Sequence, residues 1–462
     1  MADLLSPLWW TDRLFKRLAA QQEQVEFYDA YYSGNHPLPW LAPGAREEFR
    51  RILEMTRSNY MGLVVDAQVE RCAVAGFRLG PAEEAADRDT WRIWQANDLD
   101  GTFDQALLEA AIGGRSYLLV APNASDARTP HVWVEHASQA VVEYVPGTNR
   151  RVAAAGLKVW TDDWSGLLHA TLYKPEGLYK WQAKATTTGA APRWERRSVP
   201  NEAWPAPNPL GVVPLVEIQN NPRLLTGGVS ELADVTDVQD RVNKTIADRI
   251  VTQDFGAFPQ KWASGWPDED ANGNETAAPI TTGRNRIVTT DVTEARFGQW
   301  DAAPLDPYSS AKREDVKDIA SRTRTPAQYL LGEMSNVNGE TLKASESGLV
   351  SKVRSRQRGY DTGLEPAVRL MRRAAGLGSD GDALLEVIWR DPQYRTEGES
   401  TDAAIKRYQS GITTQRQARE DVGYSQTQID RMERQDAALE ARVAVVANGL
   451  AGVSVTGDGA GS

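Results

Sequence analysis

The residues that most resemble a site for chemistry form a cation-binding pattern near the middle of the chain. Residues 268–273 place Asp, Asp and Asn at alternate positions before a Gly, as in the first half of a calcium-binding EF-hand loop. That loop needs a bidentate glutamate at its twelfth position, which here is Pro279, and Pro267 stands where the entering helix would be. We therefore predict a solvated acidic turn and no metal site. A weak, opportunistic cation site is the alternative.

The histidines offer no better metal site. His131 and His136 lie five residues apart in a strand-like sequence, so their side chains point to opposite faces. They could not share a metal ion. We expect ordinary surface or core histidines here, and no bound cofactor.

Three carboxylates suggest a nuclease at first sight. Asp234, Asp237 and Asp240 follow one another at three-residue spacing on a predicted helix and share a broad face. Arg241 and Lys244 lie among them, as on a solvent-facing, ion-paired helix. We expect any role of these aspartates to be electrostatic.

The common catalytic motifs are absent from the sequence. It contains no phosphate-binding G-x-x-x-x-G-K-[ST], no dinucleotide glycine fingerprint after a strand, no G-x-S-x-G and no H-E-x-x-H. We therefore predict that the protein is not an enzyme.

The composition argues against a tight binder of nucleic acid and against a secreted or membrane protein. The 462 residues include 52 basic and 63 acidic ones, a net charge of −11, whereas tight binders of nucleic acid have a basic surplus. The single cysteine, Cys72, excludes an intramolecular disulfide and fits a reducing compartment. No signal peptide or membrane-spanning run is expected, so we predict a protein that is soluble and cytoplasmic when made.

The elements that would position these residues change character along the chain. The first 110 or so residues predict helices, among them 12–32, 60–74 and one holding Trp91, Trp94 and Leu99. Residues 116–219 have short apolar runs between turn residues, which predict a mainly antiparallel sheet. A long helix over 230–254 and a second over 308–322 then flank an irregular insert, with a possible short strand at 286–289.

A third long helix is predicted over 340–375, with a kink at Pro366, which has no amide to donate. Its basic residues could contact either DNA phosphates or acidic patches of a neighbouring subunit. We favour the contact with a neighbouring subunit. The five of interest are Lys343, Lys352, Arg354, Arg356 and Arg358. A strand over 384–389 and helices over 403–409, 414–422 and 425–446 follow, with a capping pair Ser425 and Gln428.

The order of several short segments over residues 20–425 resembles that of the portal proteins of tailed bacteriophages. The segments are Y-Y-S-G-N-H-P-L (31–38), the helix of 59–71 before G-F (76–77), W-R-I-W-Q-A-N-D-L-D (91–100), G-G-R-S-Y-L-L-V (113–120), N-V-N-G-E-T-L-K (336–343) and W-R-D-P (389–392).

The resemblance implies an α+β, portal-like fold: a mixed wing, long stem helices, a small clip module, a kinked tunnel helix and a helical crown. Mapped onto this sequence, the wing takes 1–227, the stem helices 228–254 and 308–325, and the clip 255–307. The tunnel loop, the kinked helix and a returning wing strand take 326–396. The crown takes 397–446, and 447–462 is a disordered tail.

The resemblance also implies a function. The subunits form a ring, a dodecamer, at one capsid vertex, and double-stranded DNA passes through it during packaging and ejection. The ring docks the terminase and later the head-completion or adaptor proteins, and it meets the major capsid or scaffolding protein. It is assembled in the host cytoplasm and resides in the virion, with no membrane partner. The alternative is another virion structural protein, a capsid or tail component.

Two sets of residues would then lie near the DNA. The uncharged tunnel loop comprises Met334, Ser335, Asn336, Val337, Asn338 and Gly339. In the stem, Asp234, Asp237 and Asp240 are the candidates for a negative lumen, because acidic faces repel phosphates and keep DNA moving.

Overall fold

The computed structural model describes residues 5–39, 50–80, 86–148, 152–184, 192–257, 261–265, 294, 296–332, 339–393 and 397–453. Within them the chain is a mixture of helices and antiparallel sheets, as the sequence predicts.

The N-terminal part is helical. It consists of α1 (Pro7–Tyr32), α2 (Arg50–Met55), α3 (Met61–Val69), α4 (Arg88–Ala96) and α5 (Leu99–Gly113), with strand β1 (Val74–Leu79) after α3. Two predictions of extent were wrong. The helix expected to reach residue 74 ends at Val69, and the helix expected around Trp91 to Leu99 is two helices. Asp98 adopts a left-handed conformation (φ 53°), which breaks the helix between α4 and α5.

The predicted antiparallel strands form two sheets. In the first, the order is β3-β2-β9, with β2 (Arg115–Ala121), β3 (His131–Glu135) and β9 (Leu215–Gln219). In the second, five strands follow in sequence order: β4 (Ala140–Tyr144), β5 (Ala153–Asp162), β6 (Leu167–Lys174), β7 (Gly177–Lys184) and β8 (Glu195–Arg196).

Two long helices, α6 (Thr236–Ala257) and α7 (Asp306–Thr323), flank the strand pair β10 (Lys261–Ser264) and β11 (Arg296–Gln299). The first helix was predicted to begin at residue 230, but it begins at Thr236, because the preceding residues form turns closed by bonds such as Val235 N–H to Leu232 O (3.1 Å). The acidic turn at 268–273 and the possible strand at 286–289 lie outside the described residues.

The remaining elements are α8 (Ala327–Leu331), α9 (Gly339–Ala374), β12 (Leu385–Trp389), α10 (Glu397–Gln409), α11 (Gln415–Val422) and α12 (Gln426–Val453). The predicted capping pair is confirmed, since Ser425 N–H donates to Gln428 Oε1 (2.9 Å) and Gln428 N–H to Ser425 Oγ (3.4 Å). α12 continues to residue 453, beyond the end expected at 446.

Long-range contacts place α9 at the centre. Strand β12 returns to pair antiparallel with β1, with Phe77 opposite Val387. α9 packs against β9 through two glycines: a Cβ on Gly363 would stand 2.3 Å from the Glu217 carbonyl oxygen, and one on Gly359 would stand 3.0 Å from Pro222. Only glycine permits this close approach of helix and strand.

Candidate functional site

The helix pair α6–α7 is joined by an apolar seam and by ion pairs. Val242 of α6 is buried with Val316 and Ile319 of α7 in one cluster. Across the exposed side, Arg241 Nε lies 2.7 Å from Asp315 Oδ1, and its Nη2 lies 2.8 Å from Asp318 Oδ2. At 1.5 Å per residue the 22 residues of α6 span about 33 Å. The pair is therefore a long arm that carries the β10–β11 module at its end.

The base of this arm is fixed to the N-terminal helices by buried polar contacts. Gln239 Oε1 accepts the Tyr60 N–H (3.0 Å), and Asn243 Oδ1 accepts the Ser58 N–H (3.0 Å). Neither of these α6 side chains is predicted from the sequence to be buried, because polar positions on this helix are typical of a solvated face. Their spacing could have indicated burial, since Gln239 lies four residues after Val235 and three before Val242, and Asn243 lies three before Ile246.

The three aspartates proposed for the lumen have different surroundings. Asp234 lies before the helix, and its backbone oxygen accepts from Arg322 Nη1 (3.1 Å). Asp237 is exposed, with the Arg322 guanidinium 3.9 Å away. The carboxylate of Asp240 accepts a hydrogen bond from Tyr31 Oη (2.9 Å). Burial raises the pKa of Asp240, and the Tyr31 hydrogen bond opposes that shift. All three are exposed in the single chain, and Asp240 differs from the other two in that its carboxylate is bound by Tyr31.

A buried ionic cluster joins the arm to α9. Glu231 Oε2 lies 3.0 Å from Lys352 Nζ, and Glu231 Oε1 accepts a hydrogen bond from Arg356 Nε. Lys352 also donates to the carbonyl of Thr323 at the end of α7 (3.0 Å). Burial raises the pKa of Glu231, but the two cations outweigh it and the pKa lies below its ordinary value. Burial lowers the pKa of Lys352, against the effect of Glu231.

Neutral side chains complete this cluster. Asn220 donates to Glu231 Oε1 (2.9 Å) and to the Val229 carbonyl (2.8 Å), and it accepts from Tyr360 Oη (2.7 Å). Each buried polar group therefore has a partner, as burial requires. The cluster ties the segment after β9, the start of the arm and α9 into one rigid junction.

The five basic residues predicted on α9 divide into two groups. Lys352 and Arg356 are satisfied inside the chain by Glu231, and Arg356 also donates to Asn221 (2.8 Å). The other three are on the surface: Lys343 pairs with Glu399 (2.7 Å), Arg354 pairs with Asp391 (3.1 Å), and Arg358 is exposed. A contact with a neighbouring subunit or with DNA stays a prediction for this exposed group.

The loop expected before this helix lies largely outside the described residues. Met334, Ser335, Asn336, Val337 and Asn338 fall there, and Gly339 is the first residue of α9. Pro366 lies within the continuous helix, where its ring removes one backbone hydrogen bond. The kink expected at this position stays a prediction.

His131 and His136 contact different partners. His131 stacks on Trp133 (5.5 Å between ring centroids), and His136 Nε2 lies 2.9 Å from Glu109 Oε2. Within the described residues no three metal-binding side chains form a group. Among the same residues, no helix is long and apolar enough to cross a membrane. Cys72 is a buried free thiol, in agreement with the absence of an intramolecular disulfide.

The family is decided by sequence. The model of the phage portal protein family, SPP1 Gp6-like, matches residues 12–440. The chain belongs to this family. It is therefore a structural component of a phage particle. Of the two alternatives, the match favours a portal protein over a capsid or tail component.

Two similar proteins from mycobacteriophages are also portal proteins. The chain is 28% identical to the portal protein of Mycobacterium phage D29 over 472 aligned residues, which cover 99% of this chain and 93% of the relative. It is 30% identical to the portal protein of Mycobacterium phage L5, over 87% of this chain and 82% of the relative. Among solved structures, it is similar to chains from the necks of native and empty GTA particles. Their TM-scores are both 0.40 and their identities 13% and 14%, over 83% of this chain and 95% of each of those chains.

Proposed function

We propose that this portal protein forms a closed ring, a dodecamer, at one vertex of the capsid, with the α6–α7 arms surrounding a channel for double-stranded DNA. DNA enters through the ring during packaging and leaves through it during ejection. The subunit is made and assembled in the host cytoplasm. Membership of the portal family supports the ring, and the long α6–α7 arm supports the channel.

The observation that supports the channel most directly is the division of the arm into two faces. One face is buried against the N-terminal helices, through Leu232, Val238 and Ile246. The other carries charged residues of both signs that pair with each other, as between Arg241 and Asp315. A DNA channel should hold few free cations, because each phosphate contact slows the passage of DNA. Paired charges satisfy this requirement.

Within that channel Asp234 and Asp237 are the proposed negative residues. Asp240 is a weaker candidate because its carboxylate is bound by Tyr31. The tunnel loop, residues 334–339, would contact DNA at the inner end of the arm through uncharged side chains. The exposed cations of α9, Lys343, Arg354 and Arg358, would face a neighbouring subunit.

The module at the end of the arm is the proposed docking site for the terminase and later for the head-completion or adaptor proteins. Its described part exposes three aromatic side chains, Trp262, Phe297 and Trp300. Aromatic residues are enriched at the centres of protein interfaces. The capsid or scaffolding protein would contact the outer sheets.

Single-particle microscopy of the purified full-length chain tests the ring. We expect a closed ring with a central hole lined by α6 and α7, and native mass spectrometry would give the number of subunits. A particle without a central hole, or a ring with the arms on its outer surface, would contradict the proposal.

A further inference from the structure

Two leucines stand in solvent on a short turn between β9 and α6. The side chains of Leu224 and Leu225 are 96% and 94% exposed. The turn is closed by two backbone hydrogen bonds, from Arg223 N–H to Gly227 O (2.8 Å) and from Gly227 N–H to Arg223 O (2.9 Å). We call residues 223–227 the leucine turn. Because its backbone is tied, the leucines cannot fold back onto the core, and such exposed apolar groups mark interaction sites.

The leucine turn is anchored to one face of α9. Pro222, immediately before it, lies against Gly359, and Asn221 accepts a hydrogen bond from Arg356 (2.8 Å). These contacts fix the direction in which the leucines point relative to the helix. They also place the turn beside the buried ionic cluster, since Arg356 binds both Asn221 and Glu231.

The opposite face of α9 carries a groove of about 580 Å³. Residues 354 and 361 of the groove are five and two positions from Gly359, which is about half a turn around a helix. Apolar atoms of Val350 and Trp389 form part of its wall, and the lining includes Ser351, Arg354, Arg358 and Asp361. The groove therefore combines an apolar part with charged groups, as interfaces commonly do.

Asp361 gives the groove a carboxylate that can bind a cation. Its carboxylate accepts a hydrogen bond from Trp389 Nε1 (2.7 Å) but has no cation partner among the described residues. Burial raises the pKa of Asp361 to about 6, with Glu365 and Glu386 adding to the shift and the Trp389 hydrogen bond opposing it. The groove is also lined by Lys343, Arg354 and Arg358, of which Lys343 pairs with Glu399 and Arg354 with Asp391. Its other carboxylate, Glu346, pairs with Arg71, so Asp361 is the carboxylate there with which a cation from outside the chain would pair. Arg223, exposed beside the two leucines, is such a cation.

We propose that the leucine turn of one subunit docks into the α9 groove of a second copy of this chain, with Arg223 directed to Asp361. Turn and groove lie on opposite faces of the same helix, so each subunit uses both, one with each neighbour. Such a head-to-tail contact closes into a ring when its rotation allows. The inference rests on the proposed ring and names the contact between its subunits.

A cross-link between the turn and the groove tests the proposal in the full-length protein. The chain carries Leu225→Cys and Ser351→Cys, and its native Cys72 is 1% exposed and will not compete. Under mild oxidation we expect a ladder of covalent multimers on a non-reducing gel. Either cysteine alone can link at most two chains and should give no ladder. The matched control pairs Ser351→Cys with Trp164→Cys, a turn residue between β5 and β6 that is 98% exposed.

Assembly of the unmodified chain is measured in parallel to separate the two ideas. If the chain forms rings but Leu225→Cys with Ser351→Cys gives no more multimers than the control pair, this contact is wrong and the ring stands. If the chain stays monomeric at every concentration, both fail.

A second variant tests the same contact without a cross-link. Replacing both leucines (Leu224→Ser with Leu225→Ser) should raise the concentration needed for assembly at least about tenfold, because interface energy is concentrated in a few apolar anchors. The melting temperature of the unassembled chain should not fall, since these side chains contact little of their own chain. Trp164→Ser should assemble like the unmodified protein. Unchanged assembly of the leucine variant would overturn the proposal.

Discussion

Lys352 Nζ lies 3.0 Å from Glu231 Oε2 at the junction of α9 with the arm, and both side chains are only 4% exposed. Glu231 binds two cations there, Lys352 and Arg356. Burying a charge is costly unless a partner compensates it. The pairing therefore fixes where the arm leaves the body of the subunit.

Glu231→Gln should be strongly destabilising. It leaves Lys352 and Arg356 buried without a counter-charge, at a cost of about 3–5 kcal/mol. Urea unfolding followed by tryptophan fluorescence at fixed protein concentration measures it. The matched control is Glu399→Gln, which removes the partner of the half-exposed Lys343 and should cost less than about 1 kcal/mol. Equal losses for the two variants would show that burial of the cluster has no energetic role.

His136 should make stability depend on pH. Its hydrogen bond to Glu109 raises the pKa of His136, and partial burial opposes the shift. A group whose pKa is raised on folding stabilises the protein at low pH, and this contribution is lost as the pH rises through the folded pKa. His136→Gln should therefore cost about 0.5–1 kcal/mol at pH 5.5 and less at pH 8.

The control for this prediction is His131→Gln, at an exposed histidine that stacks on Trp133. Its effect on the free energy of unfolding should be the same at both pH values. If His136→Gln costs more at pH 8 than at pH 5.5, the sign of the shift is wrong.

Two glycine substitutions should change the stability of the protein in opposite directions. Gly363→Ala places a Cβ 2.3 Å from the Glu217 carbonyl oxygen, so α9 must move away from β9, at a cost of about 1–3 kcal/mol. Gly101→Ala in α5 meets nothing within 4 Å and should stabilise by about 0.5 kcal/mol. Thermal unfolding of both variants measures the difference. A Gly363→Ala protein as stable as the parent would mean that the close approach is not needed.

A reversal of charge in the stem should impair packaging. Replacing Asp234, Asp237 and Asp240 together by Lys would place new cations where DNA is proposed to pass, and each would bind phosphate. We expect fewer filled particles when a phage carries this variant, counted by microscopy and by the DNA content of purified heads. The same three changed to Asn should have a smaller effect.

The matched control makes an equal charge change on exposed acids of the five-stranded sheet, Asp163, Glu176 and Glu195. Those lie away from the stem and should leave packaging unchanged. Normal packaging and DNA retention with the three stem lysines would overturn the negative lumen.

Periodic patterns determined much of this protein without any structure. The 3.6-residue spacing of apolar side chains predicts α9 to within one residue at each end and α6 to within six, because helix formation depends on neighbours along the chain. Alternating runs predict the strands between residues 116 and 219, and the order of short segments indicates the family. Where local backbone decides, as at Asp98, the sequence prediction missed the break, since a single left-handed residue leaves no periodic signal.

The tertiary structure decided which residues meet. Lys352 and Arg358 look alike in sequence, yet one is buried beside Glu231, more than a hundred residues earlier, and the other is exposed. The pairing of β1 with β12 joins segments about three hundred residues apart. The leucine turn and the α9 groove are likewise features of the folded surface. Such contacts depend on long-range packing, in which many remote residues compete for one neighbour, and no local spacing encodes the result.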